Sequence, residues 1–155
     1  MRPRVSVLVP SYRRADALQR CLAALAAQSR PADDIVVGVR ADDDATVAIV
    51  EAARAAGLPV RAASTATVGV IAAMQAALDA STGDIVALTD DDARPRPDWI
   101  AGVLAHLASA ADIGGVGGRD WQPVERGNAS RVGIAQWFGR VIGNHHLGDG
   151  PPRDV

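Results

Sequence analysis

The chain has 155 residues, of which 48% are hydrophobic, so it is the size of one ordinary domain with a real core. Its formal net charge of −2 gives no electrostatic reason to expect nucleic acid as a partner. The single cysteine, Cys21, excludes an internal disulfide framework, and its helical spacing with nearby leucines predicts a buried core thiol. No apolar run approaches the length of a spanning helix, and the stretch 5–9 is too short for a signal peptide, so we expect a cytoplasmic protein.

Short β-branched runs alternate with alanine-rich stretches along the first three quarters of the chain. This alternation predicts an α/β fold, a mostly parallel sheet with helices on both faces. The predicted strands lie at residues 4–9, 34–39, 59–62, 84–89 and 114–118. The predicted helices lie at residues 15–27, 45–56, 69–80 and 98–109, and apolar residues recur in them at intervals of three and four.

The pattern weakens after residue 118. Residues 121–128 are typical of a loop, and apolar residues in 129–142 predict an amphipathic helix with Trp137 and Phe138 on one side. We favour burial of that side against a further half of the domain that this sequence does not include, and leave open contact with the inner face of a membrane. The polar stretch 143–155 has no terminating signal, so we expect a chain cut within a domain.

Three consecutive aspartates, Asp90, Asp91 and Asp92, follow the fourth predicted strand and are the most informative feature of the sequence. Adjacent carboxylates repel one another and resist desolvation, so a fold tolerates them when a cation or hydrogen-bond donors neutralise them. Mg²⁺ and Mn²⁺ prefer oxygen ligands and often take one or two carboxylates together with substrate phosphates. In the alternative interpretation one aspartate caps a helix and the others are solvated, but Pro95 and Pro97 make a helix directly after them improbable.

Polar residues also follow the first and second predicted strands. The carboxyl ends of parallel strands form the ligand-binding edge of such sheets. Tyr12 there suits stacking on a base, and Arg13 suits pairing with a phosphate. The alternatives are an ordinary exposed loop for these two residues, and a solvated turn with a helix cap for the acidic stretch 42–44.

Three ordered motifs resemble family 2 glycosyltransferases, which have the GT-A fold. Residues 5–14, VSVLVPSYRR, resemble that family's opening VSVVIPTYNR. Residues 69–78, GVIAAMQAAL, are similar to its G-x-x-x-A-R-N-x-G-L helix. Residues 83–92, GDIVALTDDD, with the prolines and Trp99 that follow, resemble its DxD block. Together these motifs span about residues 4–118.

The resemblance implies a nucleotide-sugar-binding domain over residues 1–118 and the start of an incomplete acceptor-side region over 119–155. It implies a Mg²⁺ or Mn²⁺ ion on the donor diphosphate, held by Asp90 and Asp92. The residues that it implies for nucleotide-sugar binding are Pro10, Ser11, Tyr12, Arg13, Asp42, Asp90 and Asp91.

The activity implied is transfer of a sugar from a nucleoside-diphosphate sugar to an acceptor hydroxyl, with inversion and metal assistance. The acceptor would be a glycan or a lipid-linked molecule, as in cell-envelope polysaccharide synthesis. No residue in 119–155 matches the family's acidic general base, so that base is not identified and we expect the chain alone to be inactive or weakly active.

The sequence departs from the family pattern at the second strand, where Arg40 adjoins the position of an acidic base contact, and at Met74 and Gln75, which replace an Arg-Asn pair. One alternative function is therefore a non-catalytic nucleotide-sugar-binding module. A D-x-D phosphotransfer domain fits less well, because haloacid-dehalogenase-type phosphatases carry a hydroxyl residue or Val where this chain has Arg94. A response-regulator receiver also fits less well, because it needs a lysine and the chain has none.

Overall fold

The computed structural model describes residues 2–117, 132–135 and 141–145, which belong to two compact units, Met1–Val116 and Gly117–Val155. The elements of the first unit are β1 (Val5–Ser11), α1 (Ala15–Ala26), β2 (Asp34–Arg40), α2 (Asp44–Ala55), β3 (Val60–Thr65), α3 (Val70–Ala80), β4 (Ile85–Leu88) and α4 (Trp99–Leu107). The elements of the second unit are β5 (Val132–Ala135) and β6 (Val141–His145).

The four strands of the first unit form one parallel sheet in the order β3-β2-β1-β4. The central strand β1 pairs with two neighbours, so that Val7 lies beside Ile35 of β2 and Ala87 of β4. Every residue of β1 is buried, including Ser6 and Ser11, which explains why the strand is mostly apolar and has no exposed polar face. The predicted α/β fold with a parallel sheet is confirmed.

Helices cover both faces of the sheet. On one face, Val7 and Val9 belong to a buried cluster with Leu18 of α1, Val50 of α2 and Ile100 of α4. On the other face, Leu8 and Val36 pack with Ala77 of α3. Since successive side chains of a strand point to opposite faces, β1 serves both clusters at once.

Helix α3 lies very close to the sheet because β2 contains Gly38. A Cβ atom added to Gly38 would lie 2.1 Å from the carbonyl oxygen of Ala73, a separation that real Cβ atoms do not adopt. Small residues on both elements, Gly38 and the buried Ala73 and Ala77, therefore set the distance between this helix and the strands.

Cys21 is buried in the core, as its helical spacing predicts. Burial raises the pKa of its thiol to about 12, and the negative charges of Asp91, Asp92 and Asp90 add to that effect. The thiol therefore stays protonated at neutral pH and behaves as a small apolar group.

The predicted strand at 114–118 is wrong over residues 114–117, which are irregular, while residue 118 lies outside the described residues. Three of those four residues, Gly114, Gly115 and Gly117, are glycines with low strand propensity. No strand of the described part of the chain pairs with them.

The predicted helix at 129–142 is also wrong wherever the structure describes it. Strands β5 and β6 form an antiparallel pair with a register shift between Val132 and Ile134, and β6 includes the first residues of the predicted polar tail. The β-branched residues Val132, Ile134, Val141 and Ile142, together with Gly133, disfavour a helix, which accounts for the error. Trp137 and Phe138, on which the suggested membrane contact depended, lie outside the described residues, and that contact stays a prediction. Separately, no described helix is both long and apolar enough to cross a membrane.

Candidate functional site

The loops that follow β1, β2 and β4 meet at the carboxyl edge of the sheet. Arg13, after β1, lies 3.5 Å from a carboxylate oxygen of Asp42, after β2. Arg14, also after β1, lies 2.7 Å from a carboxylate oxygen of Asp92, after β4. The structure thus brings together residues that lie up to 78 positions apart in the sequence, as the parallel topology predicts.

Asp91 is the buried member of the aspartate triplet and holds the loop after β4 to the end of β1. Its side chain is only 5% exposed. Oδ2 accepts a hydrogen bond of 2.8 Å from the Ser11 hydroxyl, and Oδ1 lies 3.0 Å from Nη1 of Arg14. Because both Asp91 oxygens already have partners within the protein, this position favours a supporting role. The ligand contacts expected of Ser11 and Asp91 stay predictions.

Arg14 bridges two of the three aspartates. Its Nη1 contacts Asp91, and its Nη2 donates a hydrogen bond of 2.7 Å to Oδ2 of Asp92. That hydrogen bond holds the pKa of Asp92 below its ordinary value, and the same contact raises the pKa of Arg14. The sequence interpretation left the neutralising partner open between a cation and hydrogen-bond donors. It did not assign Arg14 to that role, although this arginine is the last residue of the first family-like motif.

Asp90 and Asp92 differ from Asp91 in being exposed. Among the described residues, none donates a hydrogen bond to the Asp90 side chain, and no group of three or more His, Cys, Asp or Glu residues could hold a metal ion. Two exposed carboxylates nevertheless match the oxygen ligands that Mg²⁺ and Mn²⁺ prefer, provided that a ligand supplies the remaining oxygens. The donor set therefore fits a metal that binds together with phosphates.

Asp43 is the helix cap that the alternative interpretation of residues 42–44 anticipated. It precedes α2 and accepts hydrogen bonds from the Thr46 backbone N (3.2 Å) and hydroxyl (2.6 Å), and from the Arg13 backbone N (2.5 Å). Burial favours the neutral carboxyl group, but these hydrogen bonds outweigh it and keep the pKa of Asp43 below its ordinary value. Asp43 thereby joins the loop after β1 to the loop after β2.

Arg13 adopts a left-handed backbone conformation, with φ of 54°. Asparagine tolerates this conformation better than arginine does, and asparagine is what the family-like motif has at this position. The hydrogen bond from the Arg13 N to Asp43 holds the strained backbone in place.

Tyr12 lies at the centre of a second group of contacts, which we name the Tyr12 cluster: Tyr12, Arg13, Arg40 and Asp42. The guanidinium carbons of Arg13 and Arg40 lie 5.0 Å and 5.3 Å from the centre of the Tyr12 ring, within cation–π range. Asp42 lies 3.5 Å from the Tyr12 hydroxyl and 3.3 Å from Nε of Arg40. Pro10, in contrast, is buried within β1 beside Gly38, and its expected ligand contact stays a prediction.

A surface depression of about 330 Å³ lies at the opposite, amino edge of the sheet, far from this chemistry. Of its two acidic lining residues, Asp33 already accepts a hydrogen bond from the Val5 backbone N, and Asp34 from Ser6 and Arg61. The volume of a depression is therefore a poor guide here, and the exposed polar groups of the carboxyl edge identify the candidate site.

The model of the family described as Glycosyl transferase family 2 matches residues 6–150. No curated protein matches the sequence. Solved structures do match it, and the expected GT-A fold is confirmed by them.

One match is the mannosyltransferase PcManGT from Pyrobaculum calidifontis, in complex with GDP-Man and Mn²⁺. It is 32% identical with a TM-score of 0.64, over 70% of this chain and 33% of that one. Another is TarS 1–349 from S. aureus in complex with UDP-GlcNAc, 25% identical with a TM-score of 0.59, over 68% of this chain and 31% of that one. The chain thus spans about a third of the length of these structures.

A third match, glucosyl-3-phosphoglycerate synthase from Mycobacterium tuberculosis, is 20% identical with a TM-score of 0.55, over 69% of this chain and 40% of that one. At that identity it supports the fold alone.

Proposed function

The chain belongs to glycosyl transferase family 2, and on that premise we propose that it binds a nucleoside-diphosphate sugar at the carboxyl edge of its sheet. The observation that carries the proposal is the pairing of two features on that edge. The exposed carboxylates of Asp90 and Asp92 suit a diphosphate with its cation, and the Tyr12 cluster suits a base.

The roles divide between the three loops. Tyr12, 40% exposed, offers a ring face for stacking on the base, and Arg13 offers an exposed charge for a phosphate. Asp90 and Asp92 would hold Mg²⁺ or Mn²⁺ together with the diphosphate. When bound, the ion neutralises negative charge that develops on the departing nucleoside diphosphate. PcManGT was solved with GDP-Man and Mn²⁺ and TarS with UDP-GlcNAc, which supports a nucleotide-sugar donor and leaves the base open.

The reaction that we propose for the whole enzyme is a single displacement with inversion. The acceptor hydroxyl oxygen bonds to the anomeric carbon of the sugar as the bond to the diphosphate breaks, and a general base takes the hydroxyl proton. No described residue has been assigned as that base. General-base catalysis contributes about 10²- to 10⁴-fold, so we expect the 155-residue chain to bind donor and to transfer sugar poorly.

Calorimetry with GDP and UDP tests the proposal, in the presence of Mn²⁺ and again with a chelator. We expect nucleotide binding to be stronger with metal, because the diphosphate and the two aspartates share its coordination sphere. Asp92→Ala should remove that difference. Asp112→Ala, at another exposed acidic residue, is the matched control and should retain it. Equal affinity with metal and with chelator would contradict the role given to Asp90 and Asp92.

A further inference from the structure

Arg40 is held in place more firmly than the other arginine of the Tyr12 cluster. It is the last residue of β2, where it pairs with Thr65 of β3, and its carbonyl oxygen accepts a hydrogen bond from the Asp43 backbone N. Its side chain is 21% exposed, against 65% for Arg13. Its Nε faces Asp42 at 3.3 Å, and its guanidinium lies over Tyr12. The strand pairing, the ion pair with Asp42 and the contact with the Tyr12 ring therefore orient this guanidinium, although its Nε makes no hydrogen bond.

The two terminal nitrogens of Arg40 remain available. Among the described residues, none accepts a hydrogen bond from Nη1 or Nη2. A guanidinium group donates hydrogen bonds and accepts none, and its planar shape presents adjacent donors in a fixed arrangement. Such a group is complementary to a ligand with two neighbouring acceptor atoms on one edge.

Resting on the proposed function, we propose that Arg40 makes this site selective for guanine as the base of the donor nucleotide. Guanine has adjacent acceptors, O6 and N7, which arginine contacts with two hydrogen bonds. Adenine has a donor amino group beside N7, and cytosine also presents an amino group, so both oppose the arginine donors. Uracil offers the single acceptor O4 in place of an adjacent pair. The expected order of affinity is guanine, then uracil, then adenine and cytosine.

A panel of nucleoside diphosphates tests the inference by calorimetry in Mn²⁺. GDP should bind about 5- to 150-fold more tightly than ADP, the discrimination that a two-hydrogen-bond arginine contact provides. IDP lacks the 2-amino group of guanine but keeps O6 and N7, so it should bind like GDP. 7-Deaza-GDP lacks N7 and should lose most of the advantage over ADP.

Arg40→Met removes the donors and keeps an apolar stem of similar length. This variant should bind GDP about as weakly as ADP, with ADP affinity little changed. Arg13→Met is the matched control, because Arg13 also contacts Tyr12 and Asp42. It should weaken all nucleotides in parallel and keep the ratio of GDP to ADP. Arg40→Lys, a second variant in case Arg40→Met folds poorly, keeps the charge but not the paired donors and should also lower the ratio.

The inference would be overturned if the wild-type chain preferred UDP, if GDP exceeded IDP as strongly as it exceeds ADP, or if Arg40→Met kept the full preference for GDP. Each of these outcomes leaves the proposed function standing, because a nucleoside diphosphate still binds. If none of the nucleoside diphosphates binds, the proposed function itself fails, and the selectivity fails with it.

Discussion

The two edges of the parallel sheet both carry aspartates but use them differently. At the amino edge, Asp33 accepts hydrogen bonds from the Val5 backbone N at 2.8 Å and from Arg30 at 2.7 Å. Asp34, beside it, accepts from Ser6 at 3.1 Å and from Arg61 at 3.0 Å. At the carboxyl edge, Asp90 and Asp92 remain exposed.

This difference separates acids that hold the fold together from acids that are available to a ligand. Both oxygens of Asp34 accept hydrogen bonds within the protein, so this carboxylate has little left to offer a ligand, however large the depression beside it. The carboxyl edge has both kinds, since Asp91 and Asp43 are buried and fix the loops that present the exposed groups. The buried acids of that edge resemble those of the amino edge.

The amino edge gives the largest expected effect on stability. Asp34→Ala removes the acceptor shared by Ser6, Thr82 and Arg61, and leaves the half-buried Arg61 without its carboxylate. We expect a loss of about 2–3 kcal/mol in the free energy of unfolding, measured in urea. Nucleotide affinity of the folded variant should stay unchanged. A folded Asp34→Ala protein with weakened GDP binding would contradict the view that the amino edge serves stability and the carboxyl edge serves binding.

Asp43 lies at the carboxyl edge, but we expect it to stabilise the fold as Asp33 and Asp34 do at the amino edge. Its folded-state pKa is lowered, so its stabilising effect is complete above the unfolded-state pKa of about 3.9 and is lost as the pH falls through the folded value. Asp43→Asn should cost about 1 kcal/mol at pH 7, through weaker hydrogen bonds to Thr46 and Arg13.

Urea unfolding of the Asp43→Asn variant at pH 7, 5 and 3 checks the direction of this pH dependence. The difference in free energy of unfolding between variant and wild type should be the same at pH 7 and pH 5 and should shrink at pH 3. Thr46→Val, which removes one donor to Asp43, should show the same trend. A difference that persists unchanged to pH 3 would show that Asp43 acts through its shape and not through its charge.

Arg14 should compete with a metal ion for Asp92, because its Nη2 already contacts the carboxylate at 2.7 Å. Arg14→Gln should therefore bind Mn²⁺ alone about two- to fivefold more tightly, the range expected from losing one exposed ion pair. The concentration of free Mn²⁺ can be followed by electron paramagnetic resonance. Arg13→Gln, whose ion pair is with Asp42, is the control and should leave Mn²⁺ affinity unchanged. Weaker Mn²⁺ binding by Arg14→Gln would instead mean that Arg14 holds the aspartates in place for the metal.

The sequence was sufficient to predict the order of strands and helices through α4, because each element has its own local pattern of apolar residues. It also placed Tyr12, Asp42 and Asp92 on one edge, since parallel strands bring their carboxyl ends together. It did not predict that Arg14 would bridge Asp91 and Asp92, because that contact depends on side-chain directions in loops 77 positions apart. The β5–β6 pair was missed because apolar spacing alone cannot separate a short strand from a helix.

The smallest expected effect concerns the strained backbone of Arg13 at the carboxyl edge. Arg13→Asn places a residue that tolerates the left-handed region at φ of 54°, while removing an exposed ion pair with Asp42 and a cation–π contact with Tyr12. Relief of the backbone strain, about 1 kcal/mol, should slightly exceed the loss of these exposed contacts, leaving a gain of a few tenths of a kcal/mol.

Arg13→Gln is the matched control, because it removes the same ion pair and cation–π contact but does not favour the left-handed backbone. If Arg13 serves ligand binding at the expense of stability, Arg13→Asn should slightly raise the urea concentration at the unfolding midpoint and should lower the affinity for GDP. A variant that loses stability as well as affinity would show that the Arg13 side chain holds the loop together. Arg13 would then belong with the structural residues of the site, beside Asp43 and Asp91. The residues of this edge that are available to a ligand would then be Tyr12, Arg40, Asp90 and Asp92.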